Sequence, residues 1–194
     1  MEYDAVILAG GRARRFGGID KMLIEIGGEP LLGTAIAAAS GARSAVVVGP
    51  ERAGFAGASW VQEDPPHSGP VHALAAGLAL GSAPLVAVVA ADLPFVTTDV
   101  VERLAAAVGD TDGAVAVDGS ARDQYLLAVY RRRALEAAIG GLASSIGAPL
   151  RTTVQSLRLV RLREDSASND CDTPDDVSAA RRPTEEGKGV RGVD

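Results

Sequence analysis

The chain has 194 residues, 47% of them hydrophobic, and a formal net charge of −6. That length suits one domain with a substantial core, and an acidic balance without a long Lys/Arg run disfavours a DNA or RNA substrate. Cys171 is the only cysteine, which excludes an intrachain disulfide and a zinc site built from several thiolates, and fits a reducing cytoplasm.

The opening MEYDAVILAGG lacks the basic start and long apolar stretch of a secretory signal. No later segment approaches the roughly eighteen consecutive apolar residues of a membrane helix. The expectation is a cytoplasmic protein without a membrane partner.

Taken in chain order, Tyr3 to Ala9 is the first predicted strand, followed by a Gly/Arg-rich loop and a helix over Leu31 to Ser40 after Pro30. Ser44 to Val48 is a second strand, and Gly69-Pro70 opens a helix running to Leu80. Leu85 to Ala90 is a third strand, and Thr97-Thr98-Asp99 caps a helix from Val100 to Val108. Gly113 to Val117, Gln124 to Tyr130 and Leu157 to Leu162 complete the strands. Thr173-Pro174-Asp175-Asp176 announces the last helix, with a cap, a first-turn proline and two acids at the positive end of the dipole. Several strands are apolar throughout, as in a mainly parallel sheet buried on both faces, so the pattern predicts a three-layer α/β domain over residues 1–182. Residues 183–194 are polar and aperiodic and are predicted to be a disordered tail.

The chemistry concentrates in LAGGRARRFGGIDKMLIEIGGEPLL, Leu8 to Leu32. This segment leaves the end of the first strand, where an open α/β sheet presents its ligand loops. Gly10 and Gly11 allow close backbone approach, and successive N–H groups there can cradle an anion. Arg12, Arg14, Arg15 and Lys21 gather positive charge in an acidic chain with only two lysines, a combination suited to a triphosphate. It is neither a Walker A loop nor a dinucleotide fingerprint.

Asp92 ends the strand LVAVVAAD, where a carboxylate opposite a phosphate loop is placed to hold a hard cation such as Mg²⁺. Asp170 and Asp172 are candidates for a second carboxylate ligand, with support of the final helix cap as the other role open to Asp172. Asp64, in a Gln-Glu-Asp-Pro turn, reads from its own residues as an exposed turn acid. Gly69 and Pro70 are candidates for the base pocket, with ordinary turn chemistry before a helix as the other reading. His67 and His72, the only histidines, have no metal-ligand spacing.

Four segments carry a resemblance. LAGGRARRFGGIDK resembles the signature loop of the molybdenum cofactor guanylyltransferases, and more broadly of sugar-phosphate-type nucleotidyltransferases. QEDPPHSGPVHALAAGL resembles that family's acidic residue and Gly-Pro-initiated helix, AADLPFVTTDVVERL its metal-binding Asp loop, and SNDCDTPDDV its closing element. The resemblance implies a Rossmann-like, GT-A-like nucleotidyltransferase fold and transfer of GMP from GTP to molybdopterin, with Mg²⁺ as cofactor and protein partners of cofactor delivery. It places Leu8, Ala9 and Gly10 on the nucleotide, with Asp64, Gly69 and Pro70 beside it. Gly11, Arg15 and Lys21 fall on its phosphates, and Asp92 and Asp172 at the metal. Arg15, Lys21 and Asp92 are the implied catalytic set. A cytidylyltransferase acting on molybdopterin or another small phosphorylated acceptor, and a non-catalytic nucleotide-binding module, are the alternatives. The chain departs from the family at Asp123-Gln124-Tyr125, where a proline with a small polar residue is common. It departs again at His72, where a small residue is common, and at Gly49-Pro50, where the family has Asn.

Overall fold

A computed structural model describes residues 2–10 and 19–181. The predicted tail lies outside the described residues. In chain order the elements are β1 (Tyr3–Leu8), a 3₁₀ turn (Lys21–Leu23), β2 (Glu25–Ile26), β3 (Glu29–Pro30), α1 (Leu31–Ala38), β4 (Ala45–Val48) and β5 (Ser59–Val61). They continue with α2 (Pro70–Leu78), β6 (Leu85–Ala90), α3 (Thr98–Ala107), β7 (Gly113–Val117), β8 (Asp123–Arg131), α4 (Arg132–Gly140), α5 (Leu150–Thr153), β9 (Leu159–Arg163) and α6 (Pro174–Ala180).

Seven strands form one sheet in the order β5-β4-β1-β6-β8-β7-β9. β5, β4, β1 and β6 run parallel, as do β7 and β9, and β8 is antiparallel to both its neighbours. The uninterrupted apolar runs follow from burial on both faces. On β1, Tyr3, Ala5 and Ile7 enter the core shared with α1 and α3, while Val6 faces the core shared with α2 and α4. The result is the expected three-layer α/β architecture. α3 and α6 begin as their sequences dictate. Thr97 accepts from the Val100 amide, and Thr173 and Asp176 exchange hydrogen bonds in a capping box.

Four features escape the sequence pattern: the β2–β3 hairpin, the edge strand β5, and helices α4 and α5. β5 has only three residues, and α4 follows β8 without a side-chain cap. What fixes the start of α4 is distant in sequence. Buried Arg132 donates Nη2 to buried Asp4 of β1 at 2.7 Å and Nε to the Ala83 carbonyl. Asp4 also accepts from Ser44 Oγ and from the Ser82 and Ala83 amides. A charge buried in mid-sheet is thereby fully paired.

Among the described residues, no helix is long and apolar enough to cross a membrane.

Candidate active site

A cleft of about 820 Å³ opens at the C-terminal ends of β1 and β6. One wall is the end of β1, Leu8, Ala9 and Gly10. Gly49 backs this wall. At φ 144° it holds a conformation that favours glycine, and a Cβ there would meet the Ala9 carbonyl group at 3.0 Å. The small residue after β4 is therefore demanded by close approach of two backbones. Opposite stand Gly69 and Pro70 at the start of α2, Gly69 having φ 96°. The first amides of this nine-residue helix carry its positive end toward the cleft, which suits an anionic or carbonyl-bearing ligand.

At the mouth, Lys21 Nζ donates to Asp92 Oδ2 at 2.7 Å and to Asp172 Oδ1 at 2.8 Å. Residues from the loop after β1, the end of β6 and the segment before α6 thus meet at one ammonium. Burial disfavours the Lys21 charge, but Asp92 and Asp172 outweigh it and raise the pKa above the ordinary lysine value. Asp170 also lines the cleft. Its carboxyl is pushed up by loss of hydration and by the charges of Asp172 and Asp92, with Lys21 opposing.

The register of the closing segment explains this convergence. Asp170 and Asp172 line the cleft, while Cys171 between them is buried against Ile26, Leu31 and Val177. Burial pushes the Cys171 thiol up to about 11, so it is a packing residue and not a nucleophile.

Further residues of this site lie beyond the sequence reading. Asp20 accepts two hydrogen bonds from Arg52, at 2.6 and 3.1 Å, and accepts from the Met22 amide to cap the turn that carries Lys21. Glu63, 6% exposed, lines the cleft and accepts from the His67 amide. Asp64 beside it is exposed and does not line the cleft, and its carbonyl accepts from His72 Nε2 at 2.8 Å. His72 Nδ1 in turn meets Ser145 Oγ, so this imidazole ties two loops to α2. Gly11 and the loop arginines, Arg15 among them, lie outside the described residues.

A second cleft, about 910 Å³, adjoins the first and shares Asp123, Gln124, Tyr125 and Asp170 with it.

Among the described residues, no group of three or more His, Cys, Asp or Glu side chains is arranged as a metal cage. Two carboxylates brought together by one ammonium nevertheless form a hard, oxygen-only donor set. That set fits Mg²⁺, which takes one or two carboxylates and fills its remaining positions with water and phosphate oxygens.

The mostly parallel sheet with its ligand loops at one edge has the architecture of the nucleotidyltransferases. Molybdopterin-guanine dinucleotide biosynthesis protein A of Archaeoglobus fulgidus superposes with a TM-score of 0.67 at 22% identity, covering 92% of this chain and 96% of that one. The 2-C-methyl-D-erythritol 4-phosphate cytidylyltransferase of Thermus thermophilus superposes with a TM-score of 0.71, also at 22% identity, covering 93% and 98%. At such identities the likeness shows the fold.

The family model described as the MobA-like NTP transferase domain matches residues 5–158, and the chain belongs to that family. A molybdenum cofactor guanylyltransferase of Shewanella amazonensis is 38% identical over 126 residues, 61% of this chain and 64% of that protein's length. One of Cupriavidus metallidurans is 29% identical over 178 residues, 86% of this chain and 87% of that protein.

Proposed function

We propose that this enzyme transfers GMP from GTP to the phosphate of molybdopterin, releasing pyrophosphate and giving the guanine dinucleotide. The observation that carries the reading is the Lys21–Asp92–Asp172 cluster at the mouth of a cleft walled by Leu8–Gly10 and the start of α2. Relatives bearing the guanylyltransferase name support the choice of base and acceptor.

In this reading the backbone of Leu8, Ala9 and Gly10 and the Gly69-Pro70 start of α2 hold the nucleoside. Asp64 stands outside the cleft with its carbonyl held by His72, and the neighbouring Glu63 is the acid of this turn that faces the nucleoside. Triphosphate oxygens compete with Asp92 and Asp172 for the Lys21 ammonium, so the lysine follows charge developing on the phosphates. Gly11 and Arg15 complete the phosphate contacts. The acceptor phosphate is already an anion near neutral pH, so the cleft needs no strong base. One of its oxygens attacks the α-phosphorus, the α–β bond breaks, and pyrophosphate departs with the electron pair. Alignment and charge neutralisation are the protein's contribution.

Asp92 and Asp172 would hold Mg²⁺, with Asp170 beside them. When bound, the ion supplies Lewis-acid neutralisation of phosphate charge. In this reading the reaction would run in the cytoplasm, and protein partners of cofactor delivery would collect the product. The test is a panel of NTPs with molybdopterin as acceptor, following pyrophosphate release. GTP-dependent release is expected. Release with CTP alone would reassign the base, and release with no NTP would leave a nucleotide-binding module.

A further inference from the structure

β8 carries an irregularity that the transfer chemistry leaves unused. Its Ala128 pairs with Val115 of β7, but the next pair is Gln124 with Ala116, so Tyr125, Leu126 and Leu127 have no partner on β7. Such bulges bend a strand and re-aim its side chains. This one is held from behind, because Tyr130, wholly buried, donates its hydroxyl to the Tyr125 carbonyl at 2.9 Å.

The start of the bulge stands between the two clefts, where Gln124 lines both. Gln124 Nε2 donates to Asp118 Oδ2 at 2.9 Å. Asp118 is 6% exposed and is itself fixed by the Ser120 and Arg122 amides and by Arg122 Nε. A carboxylate in that setting only accepts, so it dictates which end of the Gln124 amide is nitrogen. Oε1 is left as an oriented acceptor, and no described residue donates to it. The second cleft also presents two aromatic rings, Tyr125 and the partly exposed Phe95. Flat apolar faces beside one fixed acceptor suit a planar heterocycle with a ring N–H.

We propose that Gln124 is a specificity-determining residue for the acceptor, its oriented Oε1 accepting from a ring N–H of the molybdopterin pterin, with Asp118 as its positioning residue. The inference rests on the transfer proposed above, in which molybdopterin is the acceptor.

The experiment measures KM for molybdopterin and for GTP separately in the wild type, Gln124→Leu, Gln124→Asn, Asp118→Asn and the Gln124→Leu/Asp118→Asn pair. Melting temperatures show which variants are folded. Gln124→Leu is expected to raise the molybdopterin KM roughly tenfold, the effect of one hydrogen bond left unmade. Its GTP KM stays within about twofold of wild type, because uniform loss of nucleotide binding is not involved. Gln124→Asn, which keeps the amide but shortens its reach, shifts the same parameter and serves if the leucine variant does not fold. Asp118→Asn raises the molybdopterin KM less, and the double variant is no worse than Gln124→Leu, since Asp118 acts only through the amide. An unchanged molybdopterin KM in the folded Gln124 variants overturns the proposal, as does an equal rise in both KM values or an additive double variant. A wild-type enzyme that transfers no nucleotide to molybdopterin fails differently, removing the transfer reading and this proposal together.

Discussion

The Cys171 amide donates to the Asp92 carbonyl at 3.0 Å, so the backbone of the closing segment is tied to the loop that ends β6. This contact makes Asp170 and Asp172 neighbours of Asp92 across roughly eighty residues of sequence. With Cys171 packed inward, the acids on either side of it are left to the cleft. The carboxylate pair therefore depends on a backbone hydrogen bond and a buried thiol, not on the acids alone.

Asp92→Asn keeps the volume of the side chain and removes its charge. Turnover is expected to fall by about a hundredfold or more, the scale of losing one preorganised electrostatic group. The melting temperature should move little, because Lys21 keeps Asp172 as a partner. Mg²⁺ titration of wild type and variant is the check, and unchanged metal dependence with unchanged turnover removes Asp92 from the site.

Lys21→Ala should cost about 2 kcal/mol of transition-state stabilisation, appearing in kcat. The raised pKa of Lys21 gives the sign of any pH effect. Its folded value exceeds its unfolded value, so its ion pairs stabilise fully below the unfolded lysine pKa and are lost only as pH rises through the folded one. Activity should therefore not decline from neutral to mildly alkaline pH through loss of this proton. A rise in the GTP KM with kcat unchanged would make Lys21 a docking residue.

What the sequence disclosed and what it withheld divide along physical lines. Asp92 at a strand end, Thr173-Pro174 at a helix start and the glycines after β1 announce themselves because the chemistry is local. The Arg52–Asp20 pair that seats the Lys21 turn, and the Asp4–Arg132 pair that starts α4, join residues far apart in sequence, and no periodicity encodes them. The β8 bulge is equally silent, since Gln124 to Tyr130 shows only a good strand pattern while the pairing skips three residues. Glu63 and Asp64 were separable only by burial, with the cleft taking the first and the surface the second.

Asp4→Asn tests the far end of the sheet. Burial opposes ionisation of Asp4, but hydrogen bonds from Ser44, Ala83 and Ser82 and the Arg132 charge outweigh it, and the pKa is lowered. With the folded value below the unfolded one, the stabilisation is complete above the unfolded carboxyl pKa, about 3.9. It disappears as pH falls through the folded value. The substitution leaves buried Arg132 without its counter-charge, for a loss of about 3 kcal/mol. Acid unfolding followed by circular dichroism should lose its steepest dependence in that window, while kcat at neutral pH is retained because the pair sits away from the cleft. Loss of kcat in a folded variant would contradict this separation of stability from chemistry.

The last prediction separates function from capping at the closing element. α6 is capped by Thr173 with Asp176, the hydroxyl accepting from the Asp176 amide at 3.2 Å and the Thr173 amide donating to Asp176 Oδ2 at 2.7 Å. Asp172 instead gives its carboxylate to Lys21. Thr173→Ala should then lower stability by about 1 kcal/mol and leave most of the turnover. Asp172→Asn should do the reverse, cutting kcat roughly tenfold or more because an amide is a poorer partner for ammonium and metal alike, with little change in melting temperature. Deletion of residues 183–194 is the control and should change neither quantity. Measuring kcat and melting temperature on all three proteins decides the matter, and a fully active Asp172→Asn enzyme would make the Lys21–Asp172 contact a structural ion pair only.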